Sequence, residues 1–117
     1  MNLNVTKHGT SVVLAPVGRI DHASADAFGA SLQPHLDQCR GEAGAIVIDM
    51  RGVDYVSSVG LRILMVASRQ IKGQKGRIVI AGLAPLVREV FDISRFNLVF
   101  ELFDDVDAAL NAVGGHG

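Results

Sequence analysis

The stretch "AIVIDMRGVDYVSSVGLRIL", residues 45–64, decides the fold. It opens with an uninterrupted apolar run of strand length, which predicts a central β-strand covered on both faces. It closes with apolar residues at helical spacing, which predict a helix from Val59 to Lys72 that ends at Gly73. Residues 51–58 are interpreted as the loop between them. A strand, a loop and a helix in this order are typical of parallel sheets covered by helices.

The segments on either side repeat this alternation. Upstream, residues 3–21 predict two strands around a turn at His8-Gly9, and residues 24–39 predict a helix with Ser24 as its N-cap. Downstream, the pattern predicts a buried strand (76–82), a helix with Pro85 in its first turn (84–93), a last strand (98–103) and a helix capped by Asp104 (104–113). The order predicts an α/β fold, namely a mixed β-sheet with parallel central strands, an N-terminal hairpin and about four helices packed on the sheet.

Length and composition predict one domain. The chain has 117 residues, 49% hydrophobic and 20% charged, with a net charge of −1. Residues 1–113 are expected to form that domain, and residues 114–117 a flexible tail. There is no basic face for nucleic acid, no apolar run of the ~20 residues that span a membrane, and no secretory signal. The single cysteine, Cys39, favours a cytoplasmic location, and no Cys/His spacing predicts a metal or cofactor.

Two serines, Ser57 and Ser58, lie where the loop meets the second helix. Serine is a preferred N-cap, because its oxygen accepts an unpaired N–H of the first turn. One cap needs only one serine, so the other is left at the positive end of a helix, where a phosphate is favoured. Loops after parallel strands gather at one edge of the sheet, so "GRID" (18–21) is expected on the same rim. The pattern therefore leaves two interpretations of the pair, a helix cap and a phosphorylation site.

A serine hydrolase is a further interpretation, and it is disfavoured. A nucleophile elbow needs Gly-x-Ser-x-Gly, whereas Tyr55 and Val56 precede the two serines by two positions. None of the four histidines, His8, His22, His35 and His116, lies in a recognisable triad pattern. We therefore expect a protein that is not an enzyme.

Four blocks resemble the bacterial anti-sigma factor antagonists, the founding members of the STAS domain family. They are "GRIDHASADAF" (18–28), "AIVIDMRGVDYVSSVGLRIL" (45–64), "GRIVIAGLAPLVREVFDISRF" (76–96) and "LVFELFDDVDAAL" (98–110). The resemblance implies a partner-switching regulator with two partners, an anti-sigma factor that is a serine kinase of the histidine-kinase-like ATPase fold, and a PP2C-type phosphatase. In that family the unmodified antagonist binds the kinase and frees the sigma factor. The phosphorylated antagonist is released, and the phosphatase restores binding.

The resemblance also implies the site residues. The family pattern Asp-Ser-Ser/Thr-Gly-Leu-Gly, aligned on Gly60-Leu61, places the phosphate acceptor at Ser58, with Ser57 as the alternative. Ser57 replaces the aspartate, Val59 replaces the second hydroxyl residue, and Arg62 replaces the last glycine. The residues expected to contact the partner are Asp21, His22, Ser57, Ser58, Val59, Gly60, Leu61 and Arg62. Neither a cofactor nor direct binding of nucleic acid or membrane is implied.

A second function of another class stays open. STAS domains also serve as non-phosphorylated subunits of membrane transport complexes, in which the same helix would dock permanently on a transporter ATPase. Co-purification with a kinase or with a transporter separates the two.

Overall fold

The computed structural model describes residues 2–41 and 44–114. Its strands are β1 (Leu3–His8), β2 (Ser11–Pro16), β3 (Gly18–Ile20), β4 (Ala45–Asp49), β5 (Val53–Val56), β6 (Arg77–Ala81) and β7 (Leu102–Phe103). Its α-helices are α1 (Ala25–Gln38), α2 (Ser58–Gly73), α3 (Pro85–Ile93) and α4 (Val106–Gly114). A 3₁₀ turn occupies Phe96–Leu98. The alternation of strands and helices confirms the predicted α/β class.

Five strands form the main sheet, in the order β1-β2-β4-β6-β7. β1 is antiparallel to β2, whereas the β2–β4, β4–β6 and β6–β7 pairs are parallel. Gly9 lies in the turn between β1 and β2 with φ +62°, a left-handed conformation that suits a residue without a Cβ. The predicted hairpin and parallel centre are therefore confirmed.

β4 is buried on both faces, and this explains its uninterrupted apolar run. Successive side chains of a strand point to opposite faces. Ile46 and Ile48 belong to the larger core cluster, which α1, α2 and α3 help to form. Val47 belongs to a smaller cluster on the other face, with Ala109 of α4. Helices cover both faces, so β4 has no solvent-facing position, and its last residue, Asp49, is buried and paired with Arg51.

The interpretation of residues 51–58 as a loop is wrong in part. Val53–Val56 form β5, which pairs in parallel with β3 as a separate two-stranded sheet. Val53 and Val56 are buried, whereas the two residues between them are exposed. This pattern does not alternate with period two, so the strand lacks the periodic signal of a half-buried strand.

The end of the chain also differs from expectation. The strand predicted at 98–103 is only Leu102–Phe103, because a 3₁₀ turn precedes it. Asp104 does not cap α4, because the carboxylate of Asp105 accepts the Ala108 N–H at 2.8 Å. Gly114 is still part of α4, and the rest of the predicted tail, 115–117, lies outside the described residues.

Candidate functional site

The serine pair and the Asp21 turn meet at one edge of the small sheet. β3 and β5 run in parallel, so their carboxyl ends lie side by side. The Ser57 N–H donates to the carbonyl oxygen of Ile20 at 2.8 Å, which joins the two strand ends directly. The expectation that "GRID" and the serines share a rim is therefore confirmed.

Ser57 is the N-cap of α2. Its backbone is extended, with φ −83° and ψ 171°, and its Oγ accepts the Gly60 N–H at 3.2 Å. Its residue surface is only 7% exposed. The cap hydrogen bond satisfies one N–H of the first turn and fixes the residue at which the helix begins.

Ser58 is the first residue of the helix, and it is exposed. Because the unpaired N–H groups and the positive end of the helix dipole lie at this turn, an anion attached to Ser58 would be stabilised electrostatically. Val59 is half-buried beside it, and Arg62, one turn further along, is exposed. Ser58, Val59 and Arg62 thus present a surface that another protein can reach.

Gly60 and Leu61 point inward. A Cβ at Gly60 would lie 2.7 Å from the Ile20 Cγ2, 3.0 Å from the Val56 Cγ1 and 3.1 Å from the Ile20 carbonyl oxygen. Glycine therefore allows the first turn of α2 to pack directly on β3 and β5. Leu61 is 8% exposed and joins the larger core cluster. The packing of both residues on the core fixes the position of the first turn of α2.

Asp21 organises the neighbouring turn. Its Oδ1 accepts the N–H groups of Ala23 at 3.1 Å and Ser24 at 3.2 Å, and it lies 3.2 Å from the Ser24 Oγ. Its other oxygen lies 3.5 Å from the Arg19 Nε. Desolvation acts to raise the pKa of Asp21, but the hydrogen bonds from Ser24 and Ala23, together with Arg19, outweigh it and hold that pKa below its usual value. Asp21 is therefore an ionised anchor of the turn, and His22 beside it is exposed.

Ser24 occupies the N-cap position of α1, as predicted, but its side chain does not cap the helix. The hydroxyl donates to the Arg19 carbonyl oxygen at 2.7 Å and accepts the Asp21 N–H at 3.0 Å. The prediction that the Ser24 side chain caps α1 is therefore wrong. Its hydroxyl instead bonds to the backbone at the end of β3.

Sequence reasoning missed a stacked pair next to this rim. The Arg19 guanidinium lies 4.3 Å from the centre of the Tyr55 ring, a cation–π geometry across the exposed face of β3 and β5. The Val-x-Tyr-Val run at 53–56 is rich in residues that favour strands and could have revealed β5, and with it this pair.

The described part of the chain holds no cluster of three or more His, Cys, Asp or Glu side chains that could bind a metal ion. Within the same ranges, no helix combines the length and the apolarity needed to cross a membrane.

Comparisons with known proteins agree with this geometry. The sequence model of the STAS domain family matches residues 2–109. The candidate anti-sigma factor antagonist BtrV of Bordetella bronchiseptica is 33% identical over 112 residues, which cover 96% of this chain and 94% of BtrV. The crystal structure of an anti-sigma factor antagonist from Mycobacterium paratuberculosis superposes with a TM-score of 0.82 at 26% identity, over 96% of this chain and 92% of that one.

A third comparison concerns the fold alone. The anti-sigma factor antagonist SpoIIAA in its unphosphorylated form has a TM-score of 0.79 at 19% identity, over 99% of each chain. SpoIIAA of Bacillus in the phosphorylated form has a TM-score of 0.69 at 18% identity, over 96% of this chain and 99% of that one. From the family match and the identity to BtrV it follows that the chain belongs to the STAS domain family, and that its similarity is to the anti-sigma factor antagonists within it.

Proposed function

We propose that the protein is an anti-sigma factor antagonist that works by partner switching. Unmodified, it binds an anti-sigma factor that is also a serine kinase of the histidine-kinase-like ATPase fold, and so frees a sigma factor in the cytoplasm. Phosphorylation of Ser58 releases it, and a PP2C-type phosphatase resets it. The protein itself carries out no chemical step in this scheme.

The observation that carries the proposal is the division of roles between the two serines. Ser57 is buried, and its Oγ accepts a backbone N–H of the first turn. A phosphate on Ser57 would have to displace that contact and the packing around it. Ser58 is exposed on the next residue, at the end of the helix where negative charge is stabilised. Of the two hydroxyls, the geometry favours Ser58 as the acceptor.

The names of the similar proteins support the same role. BtrV and the Mycobacterium paratuberculosis protein carry the name of anti-sigma factor antagonists and cover nearly the whole chain. SpoIIAA, which shares the fold, has been solved both without and with its phosphate. A phosphate is therefore compatible with this architecture.

Release by one phosphate sets a condition on the interface. Moving a complex from almost fully bound to almost fully released takes about 5.5 kcal/mol of differential affinity. An exposed charge pair contributes under about 1 kcal/mol. The phosphate must therefore meet a contact surface from which water is excluded, where an unpaired charge costs several times more.

The exposed edge of α2 offers such a contact surface. Val66 is 55% exposed two turns beyond Ser58, and Arg62 is exposed between them. A partner that covers this edge and the rim would desolvate the Ser58 hydroxyl. We therefore place Ser58 near the centre of the interface with the kinase.

The test uses the kinase that co-purifies with the tagged chain. After incubation with ATP, mass spectrometry of the parent is expected to show one added phosphate on Ser58. Ser58→Ala should bind that kinase and stay bound in ATP, whereas Ser58→Asp should bind weakly. Ser68→Ala controls for the loss of a serine hydroxyl from the same helix, because Ser68 is buried further along α2.

Two results would contradict the proposal. If Ser58→Ala gains phosphate as fully as the parent, Ser58 is not the acceptor. If the chain instead co-purifies with a transporter ATPase and gains no phosphate, the permanent-subunit role replaces the switch.

A further inference from the structure

Arg62 lies one helical turn after Ser58 on the exposed side of α2. Both residues are exposed, and Ser58 is the first residue of the helix. Side chains four positions apart on a helix are neighbours, with about 5–6 Å between their Cβ atoms. Long side chains in helices also lean toward the N-terminus, which here is toward Ser58. The guanidinium of Arg62 can therefore reach a phosphate attached to the Ser58 hydroxyl.

Arg62 is available for such a contact. Ion pairs between described residues engage Arg19, Arg51, Arg77 and Arg88, and Arg62 takes part in none of them. At the rim itself, Arg19 already faces Asp21 and the Tyr55 ring.

Two other charged or titratable side chains lie near this end of the small sheet. His22 is exposed on the neighbouring turn, and Asp54 is exposed on β5. His22 is thus the main competitor of Arg62 for a phosphate on Ser58, and the test has to separate the two.

We propose that Arg62 is the intrahelical receptor for the phosphate on Ser58, so that phosphorylation draws the Arg62 guanidinium away from the partner and onto the helix start. The inference rests on the proposed phosphorylation of Ser58. An acid placed four residues before a base is the favourable orientation of such a pair. The planar guanidinium also matches two phosphate oxygens at once, which a lysine cannot do.

The pairing gives the modification two effects on the same surface. It adds an anion at Ser58, and it removes a cation that an acidic group of the partner could otherwise bind. A guanidinium whose charge is largely neutralised by an adjacent phosphate attracts a partner carboxylate less strongly than an unpaired one. Arg62, where the family pattern has glycine, therefore makes the phosphorylated surface less suited to the partner than the charge of the phosphate alone would.

The test installs phosphoserine at position 58 during translation, so it does not depend on any kinase. The second pKa of the phosphate, ordinarily about 6, is read from a phosphorus NMR titration. We expect Arg62→Gln to raise this pKa by about 0.2 to 0.4 pH units, which is a roughly 1.5- to 2.5-fold change in the proton affinity of the phosphate. High salt should shrink the difference, since both groups are exposed.

Two matched variants act as controls. Arg69→Gln removes an exposed arginine from the same helix, about two turns beyond Arg62, and should leave the titration unchanged. His22→Gln tests the competing cation and should have a smaller effect than Arg62→Gln. The inference is overturned if Arg62→Gln titrates like the parent, or if either control shifts the pKa as much. If a kinase instead fails to modify Ser58 while this titration behaves as expected, the proposed function fails and the pairing stands.

Discussion

Gly60 is the position at which a single added carbon should disturb the packing at the start of α2. Gly60→Ala would place its Cβ 2.7 Å from the Ile20 Cγ2 and 3.1 Å from the Ile20 carbonyl oxygen. Ile20 is fully buried, so its side chain has no free space to move into. Overpacking of this kind costs about 1–3 kcal/mol. Alanine recovers at most about 1 kcal/mol through its better helix propensity.

The net expectation for Gly60→Ala is a loss of about 1–2 kcal/mol in the free energy of unfolding. For a chain of 117 residues, an unfolding entropy of about 2.1 cal/mol/K per residue makes 1 kcal/mol worth roughly 4 °C in Tm. The Tm of the variant, measured by far-UV circular dichroism, should therefore fall by about 4–8 °C.

Gly73→Ala is the matched control for this prediction. Gly73 is the last residue of the same helix, and nothing lies within 4 Å of a Cβ added there. The Tm of Gly73→Ala should equal or exceed that of the parent, because the substitution adds only the better helix propensity of alanine. A Gly60→Ala variant that melts at or above the parent would refute the claim that α2 starts in direct contact with β3.

Three further predictions concern caps and turns. Ser57→Ala should lower the free energy of unfolding by about 1 kcal/mol through loss of the cap, whereas Ser58→Ala should stay within about 0.5 kcal/mol of the parent; chemical denaturation measures both. Asp105→Ala should likewise cost about 1 kcal/mol, because Asp105 caps α4, and an equal loss in Asp104→Ala would contradict that assignment. The lowered folded-state pKa of Asp21 means that its carboxylate contributes stability above its unfolded pKa of about 4, which is lost as the pH falls through the folded-state value. Asp21→Asn should therefore lower Tm at neutral pH, and the difference in Tm between variant and parent should become smaller in acid. A difference in Tm that grows in acid would show that folding does not lower the pKa of Asp21.

The strongly periodic parts of the fold were predictable from sequence, and the short irregular parts were not. The apolar run 45–48 and the helix α2 have the signals of a doubly covered strand and an amphipathic helix. The apolar residues at 98–103 resemble a strand in sequence. In the structure, Phe96 and Phe100 join an aromatic cluster with Phe91, with ring centres 5.6 and 6.2 Å apart for the successive pairs. Within 98–103, Phe100 packs in that cluster and Leu98 is exposed, so only Leu102 and Phe103 pair with β6.

The position of the serine pair at the start of α2 was predictable to within one residue. The junction of strand, loop and helix located the serine pair, and the parallel topology located Asp21 beside it. Which serine caps the helix depends on the residue at which the helix begins, and patterns place helix ends only to within a few residues. The pairing of β3 with β5 supplies that missing information, because the Ser57 N–H is held by Ile20 and the helix starts at the next residue.

If Ser58 carries the proposed phosphate, the presence of two adjacent serines follows from what a reversible signal must leave intact. A phosphate on a capping serine would compete with the N–H that the cap satisfies, so the modification would weaken its own carrier. When the cap is the neighbouring residue, the helix start is fixed by one hydroxyl and the signal is carried by the other. In this chain the buried Oγ of Ser57 accepts a backbone N–H of the first turn, and the exposed Ser58 lies in that turn. Under the proposed phosphorylation of Ser58, stability and switching depend on separate oxygens one residue apart. Ser57→Ala should therefore lower the free energy of unfolding, whereas Ser58→Ala should leave it nearly unchanged and prevent release from the kinase.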